Sequence, residues 1–316
     1  MRRMNGRGIR RRWRPVVAAA LMAGLALAGC GGGDDPVTPP PGVQWTRITS
    51  SGAASEAVPS DWSASGILLS YSDQGYTHLA TVQPDGSALF YLTALPTEAI
   101  SPLARWVAGT TLAYASNRSG SYDVWRRGIP DSTVWPVTAF PEDEFDPAPR
   151  PGAPGIAYTE GAALIGRVTL IPDTAAAPLA RIYLTIAAMK AGEAAWDPTG
   201  TRVCFTAEGT SGSRHVWLVS LAAGDSTPVQ LTTGAAVDQG PRFSPDGAQI
   251  VFASNRGSRP GLWVVSPAGE GTFLRAIAYD DSLPASPAWS PDGSKIVVSS
   301  TRLGFGRCLW VLSNLP

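Results

Sequence analysis

Short apolar runs separated by clusters of turn-forming residues recur along residues 44–316, and their length and spacing predict strands. Ile250-Val251-Phe252 and Ile296-Val297-Val298 are β-branched or aromatic runs, each preceded by Pro-Asp-Gly at 245–247 or 291–293. Proline presets φ, aspartate bonds back to the backbone and glycine tolerates a positive φ, so each tripeptide reads as a tight turn between strands. A second kind of turn follows these runs: Ser254-Asn255-Arg256-Gly257, Ser116-Asn117-Arg118-Ser119-Gly120 and Ser72-Asp73-Gln74-Gly75. Third strands carry Val124-Trp125, Val216-Trp217, Leu262-Trp263 or Leu309-Trp310. Fourth strands are marked by Leu92-Thr93, Val137-Thr138, Leu184-Thr185 and Leu231-Thr232. No segment sustains a capped helical period, so essentially no helix is expected. The 34 glycines and 28 prolines fit a chain of many turns.

The units share an anchor at the end of the first strand. It is Trp62, Trp106, Trp196, Phe243 or Trp289, with Pro149 in the most eroded copy. These positions lie 44, 43, 47, 47 and 46 residues apart, a period that suits a four-stranded propeller blade. Aromatic anchors suit the wedge-shaped contacts between neighbouring sheets. The grammar of aromatic anchor, Pro-Asp-Gly turn and Leu-Thr outer strand resembles the propeller repeat of the TolB family over residues 44–316. The fold expected is all-β: a six-bladed β-propeller. The last copy ends on its third strand, Leu309-Trp310-Val311, whereas Trp45-Thr46-Arg47-Ile48-Thr49 is an orphan that matches Pro228-Val229-Gln230-Leu231-Thr232. Pairing 45–49 with 309–313 would close the ring through an N-terminal strand and leave no open sheet edge.

The first residues have another character. Arginines 2, 3, 7, 10, 11, 12 and 14 precede the short apolar run Val16–Ala28, which is too short for a membrane span of about 20 residues. Leu27-Ala28-Gly29-Cys30 resembles the lipobox of bacterial lipoproteins. The resemblance implies cleavage after residue 29 and acylation of Cys30, and the glycines after the cysteine favour an outer-membrane destination facing the periplasm. The organisation expected is a signal peptide over 1–29, a lipidated cysteine and flexible Gly/Pro linker over 30–43, and a propeller over 44–316. The leader takes seven of the 25 basic residues and no acids, which leaves 18 against 25 acids. A negative mature chain without a basic cluster is a poor match for nucleic acid.

Candidate chemistry is sparse. His78 and His215 share a register in different blades, which argues against a joint metal site and for polar strand residues bonding within their own blades. Cys204 and Cys308 sit in apolar runs of non-adjacent blades and are expected as buried thiols. No G-x-S-x-G, H-E-x-x-H, Cys-x-x-Cys or P-loop is present. Each connection into an inner strand does carry acid: Glu56, Glu98, Asp143 with Glu144 and Asp146, Glu193, Asp238, and Asp280 with Asp281. On one face of a propeller these would gather around the channel as a negative mouth. The reading is a lipid-anchored, non-catalytic envelope module that binds a protein or peptide there. It expects no cofactor, though a cation in the channel stays open. The alternative is a carbohydrate-active or peptidase-like propeller that uses the same carboxylates. By the resemblance, the relative that gives the family its name binds a peptidoglycan-associated lipoprotein.

Overall fold

The computed structural model describes residues 42–49, 56–73, 76–93, 100–129, 131–162, 165–172, 180–209, 212–221, 227–269, 274–280, 282–302 and 306–316. The leader and Cys30 lie outside these residues, as do Glu98 and Asp281.

Six four-stranded antiparallel sheets are formed. The first blade contains β2 (Glu56–Ser63), β3 (Gly66–Asp73), β4 (Tyr76–Val82) and β5 (Phe90–Tyr91). The second contains β6 (Arg105–Ala108), β7 (Thr111–Ser116), β8 (Asp123–Gly128) and β9 (Val134–Pro136). The third contains β10 (Glu144–Pro149), β11 (Ile156–Ala162), β12 (Ile165–Ile171) and β13 (Ile182–Tyr183). The fourth contains β14 (Gly192–Trp196), β15 (Arg202–Glu208), β16 (Arg214–Ser220) and β17 (Val229–Gln230). The fifth contains β18 (Asp238–Phe243), β19 (Ile250–Ser254), β20 (Gly261–Val265) and β21 (Leu274–Tyr279). The sixth contains β22 (Ala285–Trp289), β23 (Ile296–Ser300) and β24 (Cys308–Ser313), and its outer strand is β1 (Gln44–Arg47). Each inner strand lies against the next, and β22 lies against β2, so the blades form a closed ring.

The seam forms as the sequence predicts. Gln44 faces Ser313, Trp45 faces Leu312, Thr46 faces Val311 and Arg47 faces Trp310. The Ile48 N–H then donates to the Leu309 carbonyl at 3.0 Å, beyond the end of β1. Trp45 meets Trp310 edge to face, with centroids 6.3 Å apart, and Ile48 is buried with Ala57, Leu309 and Val311. One cluster thus joins both ends of the described chain to the first blade.

The anchors seat as expected at the ends of inner strands. Trp62, Trp196 and Phe243 are buried, whereas Trp106 and Trp289 are half-buried. Trp196 Nε1 donates to the Ala148 carbonyl of the preceding blade at 2.9 Å, and Trp289 Nε1 to that of Arg242 at 3.4 Å. These two indoles therefore fill their seams with an apolar body and satisfy their one donor across them. Cys204 and Cys308 are buried free thiols in the fourth and sixth blades, and burial pushes the Cys204 thiol up.

Helix among the described residues is confined to short 3-10 turns such as Ala187–Met189, in keeping with essentially no helix. One detail differs from expectation. The Leu-Thr pairs fall just beyond the fourth strands rather than within them, because their threonines leave the ladder to bond inward. Thr49, Thr93, Thr138, Thr185 and Thr232 each accept, through Oγ1, the N–H of Leu309, Leu79, Val124, Val168 or Val216 in the third strand. The outer strands before them are short and carry exposed Phe90, Trp135, Tyr183 and Val229; such brevity limits edge pairing with other chains.

Candidate functional site

The inner strands run along the channel, and their geometry is set by a repeated irregularity. Three residues before the anchor, the backbone turns left-handed at Asp146 (φ 52°), Glu193 (φ 58°), Gly240 (φ 58°) and Ser286 (φ 50°). The ladder shifts register there in each blade. Such bulges re-aim a side chain. Asp146 and Glu193 use theirs to reach the next blade: the Asp146 carboxyl takes the Glu193 N–H, and Glu193 Oε2 takes the Gly240 N–H at 3.1 Å. Gly240 has no side chain with which to continue the relay. Thr206 Oγ1 also donates to Glu193 Oε2 at 2.7 Å, and Arg214 Nη2 donates to Thr206 Oγ1 at 2.5 Å.

The charge of the channel wall is mixed. Arg105, on β6, is buried and donates to the carbonyls of Ser60 and Ala104. Asp61 ties the first blade to the second by accepting the N–H groups of Trp62 and Trp106, both at 2.9 Å. Burial pushes the Asp61 carboxyl up despite Arg105 and these two bonds. Asp146 is only 5% exposed. Burial, with the Glu193 charge adding to it, pushes its carboxyl up to about 7, against the pull of Arg105 and Arg214. One Asp146 oxygen, Oδ2, is buried without a hydrogen-bond partner. A protonatable carboxyl beside a second, firmly held carboxyl is a pair able to hold and release a proton near neutral pH.

The remaining predicted acids divide by exposure. Glu56 and Asp143 are exposed at the starts of β2 and β10, and Asp143 Oδ1 accepts the Tyr122 N–H at 2.8 Å. Glu144, Asp238 and Asp280 are fully buried. Asp238 Oδ2 lies 2.6 Å from Arg256 Nη2 and takes the Thr232 hydroxyl at 2.6 Å. His215 Nδ1 stands 3.5 Å from the same oxygen. This histidine therefore also meets an acid of the next blade, because β16 of the fourth blade lies against β18 of the fifth. His78 does stay within its blade, with Nδ1 3.2 Å from the Thr93 carbonyl. Among the described residues, no group of three or more His, Cys, Asp or Glu is placed to hold a metal ion.

Arg105 and Asp61 were missed as channel residues because no motif marks them; both occupy the position just before an aromatic anchor, which was the available signal.

Residues 178–309 match the family model of the TolB beta propeller domain. The Protein TolB homolog of Chlorobium chlorochromatii (strain CaD3) is 28% identical over 152 residues, which are 48% of this chain and 32% of that protein. The matched segment is thus about a third of the relative's length. The crystal structure of TolB from Acinetobacter baumannii superposes with a TM-score of 0.53 at 16% identity, covering 81% of this chain and 65% of that one. An oligogalacturonate lyase solved in complex with manganese gives 0.58 at 14% identity, covering 90% and 95%. At these identities the solved structures establish the shared propeller fold.

Proposed function

Since the chain is a six-bladed β-propeller of the TolB type, we propose that it serves as an exported binding module of a bacterial envelope. In this reading acylated Cys30 holds it to a membrane, the outer membrane facing the periplasm, and the channel mouth engages a protein or peptide. The observation that supports it most is the placement of acids at the starts of the inner strands. Glu56 and Asp143 are exposed there, and the Asp146–Glu193 pair lies further along the wall. A ring closed at 44–47 and 310–313 holds that mouth rigid, and rigid scaffolds with variable connections suit recognition. The test is crosslinking in intact cells with Glu56→Gln, Glu98→Gln and Asp143→Asn combined. Loss of one defined crosslinked partner, with the protein still folded, supports the mouth; unchanged capture rejects it. Cys30→Ser is expected to move the protein from the membrane fraction to the soluble fraction, and retention on the membrane rejects the anchor.

One observation favours a second reading, a carbohydrate-active or peptidase-like enzyme. Asp146, held near neutrality beside Glu193, has the protonation behaviour of a general acid. The oligogalacturonate lyase shares the fold. Incubation with acidic and neutral oligosaccharides and with short peptides tests this reading. Turnover abolished by Asp146→Asn would support it; no turnover on any of them, or turnover that survives the substitution, rejects it.

A further inference from the structure

On the face opposite the mouth, where the first strand of each blade turns into the second, three successive seams can be compared. At the seam of the third and fourth blades, the Arg150 guanidinium lies 5.1 Å above the Trp196 anchor ring. Its Nε donates to the Gly200 carbonyl in the turn below at 2.7 Å. At the next seam, Arg202 lies 5.2 Å above the Phe243 ring. Its Nη2 donates to the Gly247 carbonyl at 3.2 Å, and Nε pairs with Asp197 at 3.1 Å. Both seams are therefore finished the same way: a guanidinium from one blade stacks on the anchor of the next and bonds the carbonyl of its turn glycine.

The seam of the fifth and sixth blades keeps the anchor, Trp289, and the turn glycine, Gly293, but not the arginine. Gln249 stands at the register of Arg202, six residues past its anchor. A Cβ placed on Gly247 would meet Arg202 Nη2 at 3.4 Å, and one on Gly200 would meet Arg150 Cγ at 3.3 Å. A Cβ on Gly293 would meet only Pro245, at 3.7 Å and 3.9 Å. The space is a groove of about 710 Å³ whose lining includes Trp289, Gln249, Pro245, Leu315, Asp246 and Asp292. Asp246 and Asp292 are exposed and locally fixed. Asp246 Oδ1 takes the Ser244 hydroxyl at 2.5 Å and the Ala248 N–H at 2.9 Å. Asp292 Oδ1 takes the Ser290 hydroxyl at 2.6 Å and the Ser294 N–H at 3.0 Å. These bonds hold both carboxyls below the usual range, Asp292 at about 2.

We propose that this groove binds an arginine side chain of a partner polypeptide, which supplies from outside the guanidinium that the two preceding seams supply from within. A planar guanidinium covers an indole face and donates in a fork, whereas an ammonium does neither as well. The two fixed carboxylates complement its charge. The volume lies in the range of sites that take several groups at once, so the arginine enters with its flanking backbone, and Pro245 and Leu315 offer apolar contact beside it. The site is separate from the channel mouth and goes beyond the reading given above.

The test uses the full chain and the peptide acetyl-Gly-Arg-Gly-amide, with lysine and citrulline versions and free arginine amide as comparison arms. Affinity is read by calorimetry and by the shift of the Trp289 indole N–H resonance, which Trp289→Phe identifies. The arginine peptide is expected to bind and to shift that resonance, with lysine about two- to fivefold weaker. Citrulline, without the charge, and free arginine amide, without the backbone, should also be weaker. Gln249→Arg should fill the groove from within and abolish binding, and Asp292→Asn should weaken it while leaving the fold intact. Glu56→Gln with Asp143→Asn should leave it unchanged, which separates this site from the mouth. Equal binding of citrulline and arginine, or unchanged affinity in both Gln249→Arg and Asp292→Asn, would overturn the proposal. Free arginine amide binding as tightly as the peptide would overturn the assignment to a polypeptide.

Discussion

Two seams of the ring place side chains at the same backbone positions and fill them with opposite chemistry. Between the fourth and fifth blades, His215 stands just before the Val216-Trp217 pair of a third strand and Asp238 begins the facing inner strand. Between the second and third blades, Asp123 and Glu144 hold those positions. Across the ladder, Asp238 faces Ser254, whereas Glu144 faces Glu160. Asp238 is thus surrounded by donors: Arg256, Thr232, Ser254 and the imidazole of His215. Glu144 sits among Thr138 and two further acids, and Arg181 lies against Glu160 at 3.3 Å. Burial pushes the Glu144 carboxyl up to about 9, and the neighbouring Asp123 and Glu160 add to the rise. Although Asp238 is as deeply buried, His215 and Arg256 carry it below the usual range. The propeller repeat specifies where a buried polar pair stands, and leaves open whether an ion cluster or a protonated acid occupies the place.

The largest effect is expected where the charge is committed. Asp238→Ala removes the buried carboxylate that pairs with Arg256 and accepts from Thr232. Breaking a buried pair costs about 3–5 kcal/mol, so urea denaturation should show a loss of that order. Glu144→Ala, which removes a neutral group at pH 7, should cost less. Equal losses would mean that the two seams do not differ in charge state.

The two seams should also fail at opposite ends of the pH scale. The Glu144 carboxyl is raised in the folded protein, so the fold holds a proton there that the unfolded chain releases above about pH 4.3. Its contribution is complete below that pH and is lost progressively as pH rises towards 9. The Asp238 carboxyl is depressed, so its contribution is present above about pH 3.9 and is lost as pH falls further. Glu144→Gln should therefore match the parent near pH 5 and exceed it in Tm near pH 9. Asp238→Asn, already destabilised, should show a flatter acid limb. A Glu144→Gln protein with an unchanged alkaline limb would place the proton elsewhere.

Much of this architecture is legible in the sequence because it rests on recurring residue types. The aromatic anchors, the Pro-Asp-Gly turns and the orphan strand at Trp45 to Thr49 set the blade count and the closing seam. Even Pro149 takes the anchor position without a ring to mark it. The left-handed bulge three residues before the anchors of the third to sixth blades stays hidden, because Asp146, Glu193, Gly240 and Ser286 have no side chain in common. The His215–Asp238 contact is hidden for another reason: it crosses between blades, and only the ring shows that a third strand lies against the next inner strand. The acids of the connections could be found in the sequence, but their fates could not. Glu56 and Asp143 are exposed, whereas Glu144, Asp238 and Asp280 are enclosed, and a one-residue offset along a strand decides between these outcomes.

The smallest expected effect tests the part that both seams share. Thr138 accepts the Val124 N–H at 2.7 Å and Thr232 accepts the Val216 N–H at 2.9 Å. Thr→Val keeps the shape and removes that acceptor, leaving a buried strand N–H unpaired in either blade. An unpaired buried N–H of this kind costs about 1–3 kcal/mol, in either blade alike. Thr232 also donates to the Asp238 carboxylate at 2.6 Å, and hydrogen bonds to charged groups contribute about 1.5–3 kcal/mol. Thr138 neighbours the Glu144 carboxyl, which is pushed up to about 9 and keeps its proton at pH 7, so it faces no charge there. Thr232→Val should therefore cost more than Thr138→Val at pH 7 in chemical denaturation. Near pH 10, where Glu144 has lost its proton, the gap should narrow, because the Thr138 hydroxyl would then face a charge as well. A gap that is absent at pH 7, or that stays constant across this range, would show that the charge of the neighbouring carboxyl does not set the value of the threonine.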